Sequence, residues 1–327
     1  MPTLPLLATP ADPTDIDAPR HVAAPGGYEW WHFEAFDPVA DLRVSATLFD
    51  GNPFHPGYLY RYAAYRRFPT RVRPPVPSEY PAVSLAIYRH GRCKAHQDWR
   101  HPPGSCTATP ASVRIGRDGF ARLEDGGVRL TIGQLADLTF HPTTLAAPRL
   151  RTFAPAVSVR DGHGWVVSNP ACAVEGDLKV GRRHVKFDGV GYQDHQWGAE
   201  PIALAARRWF WACTWLEGRA VVVTEVVPMT GASAGPRIID AEESGSAAWD
   251  ARTAWRMPIP SSVDFGNALR LDTPYVVESS PVSAQLYYRA RVGGGAATTA
   301  LAHVVEPGRA GWPVVGPMLK PYVIREA

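Results

Sequence analysis

The sequence predicts an all-β chain of two barrel or sandwich units packed together. Short runs of β-branched and aromatic residues recur along it, roughly sixteen to eighteen by the alternation rule. Glycine, proline and aspartate part these runs at hairpin spacing. Helical periodicity is scarce, with one short helix expected near Pro201 to Ala206 and another near Pro313 to Lys320.

At 327 residues, 45% hydrophobic and 10% aromatic, the chain can fill one large or two medium cores. Eleven tryptophans are the outlier in composition. The net charge is only +3, and the basic residues are nearly all arginine, lysine standing only at 94, 179, 186 and 320. That pattern describes no nucleic-acid patch. Cysteines 93, 106, 172 and 213 lack CxxC spacing, so neither a zinc site nor a disulfide framework is expected and the thiols are read as reduced. The N-terminus lacks the basic start and long apolar run of a signal peptide, and no run of about eighteen apolar residues occurs. The expected location is cytoplasmic.

In chain order, residues 1–25 are a proline-rich, irregular lead-in, draped on the surface or disordered. Residues 28–36 read as a strand, with Tyr28, Trp30, His32, Glu34 and Phe36 on one face and Glu29, Trp31 and Phe33 on the other. Neither face is cleanly polar, which argues for burial on both sides. Leu42 to Phe49, a loop over 50–57 and the tyrosine-rich run Tyr58 to Tyr65 follow hairpin grammar. Residues 71–81 read as an extended linker or lid, 82–89 as a strand, and 96–110 as a polar loop carrying Asp98, Trp99 and His101. Segments 112–116, 119–124 and 127–132 have the spacing of a meander, with 137–140 as a candidate further strand. Segments 163–170, 173–180 and 184–191 form three more strands.

Those strands lead into Gly189-Val-Gly-Tyr-Gln-Asp-His-Gln-Trp-Gly198, where a phenol, a carboxylate, an imidazole and an indole stand between glycines. Such glycines suit a strand that bends or admits another group close to its backbone. In extended geometry Tyr192, Asp194 and Gln196 face one way, and Gln193, His195 and Trp197 the other. Beyond it, Trp209, Trp211, Cys213 and Trp215 share one strand face, and 219–228, 252–258, 268–277, 283–292 and 298–305 continue the pattern. The expected division is a lead-in over 1–25, one β unit over 26–185 and a second over 186–327, with the glycine-fenced motif at the seam.

A carboxyl set among indoles loses hydration, which raises its pKa and lets it keep a proton to donate near neutral pH. Indole faces also suit a developing cation. Scattered histidines, with no HxH or HExxH spacing, argue against a metal, and no GxSxG elbow, P-loop or dinucleotide fingerprint occurs.

Four motifs, Gly27-Tyr-Glu-Trp-Trp-His-Phe-Glu34, His163-Gly-Trp165, residues 189–198 and Arg208-Trp-Phe-Trp211, together resemble the carotenoid 1,2-hydratase superfamily, a group that also holds fungal decalin-forming Diels–Alderases. The resemblance runs from about residue 26 to the end. It implies two lipocalin-like β units with an apolar ligand pocket in or between them, and it makes Asp194, with Tyr192, the group that protonates a double bond. His163 and Trp165 match the upstream His-x-Trp element. The chain departs from the carotenoid hydratases after the acid, where it has His-Gln-Trp-Gly, so the likeness extends to the acid more than to a carotenoid substrate.

The expected function is therefore a cofactor-free, metal-free hydratase or cyclase acting on an apolar isoprenoid or polyketide substrate. The expected catalytic residues are Asp194, Tyr192, His195, Glu29, His32 and Glu34. The expected substrate-binding residues are Trp30, Trp31, His163, Trp165, Trp197, Trp209 and Trp211. A pericyclase that folds a polyene without proton transfer, and a carrier of an apolar ligand, are the alternatives. No nucleic-acid partner is expected, an apolar substrate is compatible with transient membrane contact, and the oligomeric state is left open.

Overall fold

A computed structural model describes residues 17–143, 149–150, 163–202, 206–216, 219–229, 233, 235–238, 245–250, 257–279, 283–293, 295–306 and 325–326. The first sheet takes up β1 (Tyr28–Asp37), β2 (Leu42–Asp50), β3 (Ala82–Arg89), β4 (Arg92–Arg100), β5 (Cys106–Thr109), β6 (Ser112–Ile115), β7 (Asp118–Arg122), β8 (Val128–Ile132), β9 (Ala136–Pro142), β10 (Arg149–Leu150), β11 (His163–Val180) and β12 (Arg183–Gly198). The second takes up β13 (Ala206–Leu216), β14 (Arg219–Pro228), β15 (Arg237–Ile238), β16 (Ser246–Asp250), β17 (Ile259–Asp264), β18 (Leu269–Ser279), β19 (Ser283–Val292) and β20 (Ala296–Val305). A short β21 (Arg325–Glu326) returns to lie parallel to β4.

The first sheet runs β21-β4-β3-β2-β1-β12-β11-β9-β8-β7-β6-β5, with β10 beside β11, and the second β15-β14-β13-β20-β19-β18-β17-β16. Both curl into half-barrels. Trp31 and Phe33 on β1 meet Phe120 on β7, five places along the order, at ring separations of 6.3 and 5.3 Å. Likewise Phe210 on β13 meets Trp249 on β16 at 6.0 Å. Each curl encloses its own apolar core.

A third core joins the two curls from outside. Tyr28, Trp30, Trp165, Val167 and Tyr192 of the first sheet pack on Trp209, Trp211, Cys213, Trp215 and Val222 of the second. Thus β1 is buried on both faces, its odd residues in the first curl and its even residues in this seam. Two motif glycines are explained by close approach. A Cβ on Gly189 would stand 2.1 Å from the Phe36 carbonyl oxygen, and one on Gly198 would enter the Tyr28 ring at 2.5 Å.

Several expectations are corrected. Tyr58 to Tyr65 lies in a helix, α1 (Pro56–Arg67), not in a hairpin strand. Pro56 starts it, the His55 side chain accepts from the Tyr58 N–H, and Tyr58, Leu59 and Tyr62 form its buried stripe. Residues 96–100, expected in a loop, belong to β4, and 163–191, expected as three strands, form one long hairpin. Irregular pairing around Val167, Asn169 and Cys172 accommodates Pro170 without ending the strand. A boundary near 185 would cut that hairpin, so the sheets change over between Gly198 and Ala206. The expected helix at 313–320 lies outside the described residues, as do 203–205 of the other. No disulfide joins Cys93, Cys106, Cys172 and Cys213. Among the described residues no helix is long and apolar enough to cross a membrane.

Candidate active site

The seam centres on one cross-strand pair, His32 on β1 opposite Asp194 on β12. Trp30 pairs with Gln196 and Glu34 with Tyr192 on either side. Strand parity then sends all six side chains to the seam face, where β13 supplies Trp209 and Trp211. Asp194 is fully buried there.

Its two oxygens are held by different donors. The Tyr192 hydroxyl donates to Oδ2 at 2.9 Å, and the Gln196 amide donates to Oδ1 at 3.0 Å. Trp165 adds a further hydrogen bond that favours the charged form. The Gln196 Oε1 contacts His163 Nε2 at 3.1 Å, and His163 Nδ1 contacts the Tyr28 hydroxyl at 2.8 Å. An amide oxygen can only accept, so His163 carries its proton on Nε2 and accepts from Tyr28 through Nδ1. This neutral tautomer agrees with a His163 pKa lowered by burial to about 4. The chain from Tyr28 to Asp194 thereby fixes the orientation of the acid.

Burial raises the pKa of Asp194, against the opposing influence of His32 and of its hydrogen-bond donors. Burial would lower that of His32, but Glu34 and Asp194 outweigh it and the pKa is raised. Glu34 lies 3.5 Å from His32 and 3.6 Å from His303, which hold its pKa down despite burial. His32 Nδ1 contacts the Thr47 hydroxyl at 2.9 Å, and its ring stands edge-on to Trp211. Trp30 lies 5.8 Å from Trp209, which in turn lies 5.1 Å from His163. The result is a carboxyl poised toward its neutral form, bordered by indole faces.

The opposite face of the ladder holds a separate network. His195 contacts Glu29 at 2.8 Å and Asp17 at 3.3 Å, and stacks on Trp31 at 5.0 Å. Arg122 pairs with Asp17, Arg20 lies over Trp197, and the backbone N–H groups of Arg20 and His21 donate to Glu29. Burial would lower the pKa of His195, but its two carboxylates raise it. The lead-in is therefore anchored in the first curl at Asp17.

Of the expected catalytic residues, the structure brings Asp194, Tyr192, His32 and Glu34 together, and puts His195 and Glu29 behind the sheet. Of the expected substrate-binding residues, Trp30, His163, Trp165, Trp209 and Trp211 line the seam, whereas Trp31 and Trp197 do not. Sequence reading passed over Gln196, Tyr28, Thr47 and His303. Alternation places Gln196 beside Asp194, so its signal was present, whereas nothing local to Thr47 or His303 marks them. Among the described residues no three His, Cys, Asp or Glu side chains converge as metal ligands would.

No family model matches the chain. A hydroxyneurosporene dehydrogenase of Chlorobaculum tepidum is 27% identical over 252 residues, 66% of this chain and 60% of that protein. An acyclic carotenoid 1,2-hydratase of Thiocapsa roseopersicina is 29% identical over 202 residues, 58% of this chain and 44% of that protein. One from Rubrivivax gelatinosus is 24% identical over 285 residues, 83% and 66% respectively. The chain thus spans 44% to 66% of the length of these curated relatives. Among solved structures, a protein named as an AttH candidate from Nitrosomonas europaea superposes with a TM-score of 0.60 at 13% identity, over 91% of this chain and 98% of that one. Kievitone hydratase from Nectria haematococca gives 0.52 at 13%, over 89% and 91%, and CghA with Sch210972 gives 0.51 at 10%, over 86% and 89%. The structural likenesses establish the fold as lipocalin-like, and the sequence relatives match the resemblance read from the motifs.

Proposed function

We propose that this chain, a relative of the acyclic carotenoid 1,2-hydratases, is a hydratase or cyclase that protonates a carbon–carbon double bond of an apolar substrate from Asp194. The observation that carries the reading is the fully buried Asp194 carboxyl, its pKa raised by burial, in a seam lined by indoles. A carboxyl whose pKa is raised by burial holds its proton to higher pH than a free one, which is what a general acid needs.

In the proposed cycle the Asp194 proton forms a new C–H bond at one alkene carbon, and the π electrons leave a cation at the other. The faces of Trp30, Trp209 and Trp211 stabilise that cation, each by roughly 0.5 to 2 kcal/mol. Water or a second double bond of the substrate then attacks it. The proton lost in that closing step returns to the Asp194 carboxylate, so protein groups and water suffice. Tyr192 and Gln196 hold the carboxyl in line, and His32 with Glu34 sets the local field. On this reading the enzyme is a lyase when water closes the reaction and an isomerase when the substrate does.

The test is conversion of acyclic isoprenoids in deuterated water. Wild-type protein yields product with one deuterium on the protonated carbon, and a folded Asp194→Asn variant loses turnover by about 10²-fold or more. Undiminished conversion by that variant would remove proton donation and leave a site that works by shape alone.

A further inference from the structure

Along β1 the seam changes character. Four residues from the His32–Asp194 pair, β1 reaches Phe36, whose cross-strand partner on β2 is Arg43. At about 3.3 Å per residue this end lies roughly 13 Å from the acid along the strand. Arg43 is fully buried, an unusual position for a guanidinium. Its Nη2 donates to the carbonyl and hydroxyl of Thr299 on β20, at 2.7 and 2.8 Å, and its plane covers Phe36 at 3.9 Å.

Those contacts occupy one nitrogen. Among the described residues, Arg43 Nε and Nη1, Trp215 Nε1 and Trp211 Nε1 are buried donors with no hydrogen-bond partner. Arg43 also lies 5.2 Å from the Trp215 ring, and Phe36 packs against both, so guanidinium and indole are neighbours at this end of the seam. The unpartnered acceptors here are the Glu34 oxygens, which already face His32 and His303, and Gln285 Oε1 on β19 beside His303. The excess is in donors, and buried donors without acceptors are costly. A hydrocarbon cannot meet them.

We infer that the substrate carries a hydrogen-bond-accepting oxygen, a carbonyl, about 13 Å from the double bond that Asp194 addresses, and that Arg43 with Trp215 receives it. This rests on the seam being the substrate site. The substrate class is then an oxygenated polyene, and Arg43 fixes which end of the chain meets the acid.

Binding of methyl farnesoate, farnesoic acid and β-farnesene, followed by quenching of tryptophan fluorescence, tests this without relying on turnover. A purely apolar pocket prefers the hydrocarbon, because burying an unpartnered carbonyl is unfavourable. The expected result is the reverse: methyl farnesoate binds about tenfold or more tighter than β-farnesene. Arg43→Met abolishes that preference and Trp215→Phe weakens it, the second variant serving if the first does not fold. Equal binding, or tighter binding of β-farnesene, overturns the inference while leaving the seam as an apolar site. A preference unchanged in both variants also overturns it and leaves Arg43 as a tie between the sheets. Farnesoic acid binding tenfold tighter than its ester overturns the carbonyl in favour of an anion. Quenching by none of the three overturns the seam as a ligand site altogether.

Discussion

Asp194 and His195 are neighbours in the chain and work on opposite sides of one ladder, the carboxyl in the seam with Tyr192 and Gln196, the imidazole in the first curl with Glu29 and Asp17. Their substitution should therefore produce different failures.

Asp194→Asn retains the fold and loses turnover. His195→Asn, by contrast, leaves Glu29 and Asp17 buried without their shared cation, which for a broken buried pair costs about 3 to 5 kcal/mol. Urea denaturation of the two variants beside a turnover assay separates them. A His195 variant of full stability with no activity would contradict the division.

The pH profile follows from the sign at Asp194. Its pKa is raised, so the donor form is present at low pH and is lost as pH rises through the folded value. His32 is the strongest influence opposing that rise, followed by Gln196. Replacing His32 by Gln, or Gln196 by Leu, should move the alkaline limb of kcat/KM to higher pH, His32→Gln further. A limb that stays in place, or moves down, would show that another group titrates.

Asp50 offers a stability counterpart away from the acid. Burial, with Glu29 nearby, raises its pKa from 3.8 to about 6. The folded state then favours the neutral form, so its contribution is complete below about pH 4 and is lost as pH rises to about 6. Asp50→Asn should stabilise the protein at pH 8 by on the order of 2 kcal/mol relative to its effect at pH 4. Denaturation midpoints at the two pH values measure the difference.

Gly189→Ala forces a methyl against the backbone of Phe36 and Asp37, with contacts of 2.1 and 2.9 Å. The strands must part, at a cost of about 1 to 3 kcal/mol. Gly295→Ala, whose methyl meets nothing within 4 Å, is the control and should stay within about 0.5 kcal/mol of wild type. Thermal unfolding of both variants checks the contrast.

Much of this was legible from alternation. Parity alone sorts Tyr192, Asp194 and Gln196 from His195 and Trp197, and gathers Trp209, Trp211 and Trp215, because a strand's side-chain period is fixed. Parity does not say which strands pair. Grouping His195 and Glu29 with Asp194 followed their chemistry, whereas their own parity puts them together behind the sheet. The Asp17–Arg122 pair, 105 residues apart in sequence, and the Arg43–Thr299 contact, 256 apart, have no local signal at all. Helix α1 escaped notice because tyrosines suit a strand as well as a helix, and the deciding feature was Pro56 following a capping His55.

The double-faced burial of β12 has an evolutionary consequence. A slip of one residue between β1 and β12 would exchange the two networks, sending His195 to the indoles and Asp194 into the first curl. Deletions or insertions inside this ladder would thus invert the chemistry wholesale instead of weakening it by degrees. Gly189 and Gly198, each fitted against β1 at its own end of the motif, act as detents against that slip. New substrates are accordingly easier to reach by point changes on β13 and β2 than by any change in the length of β12.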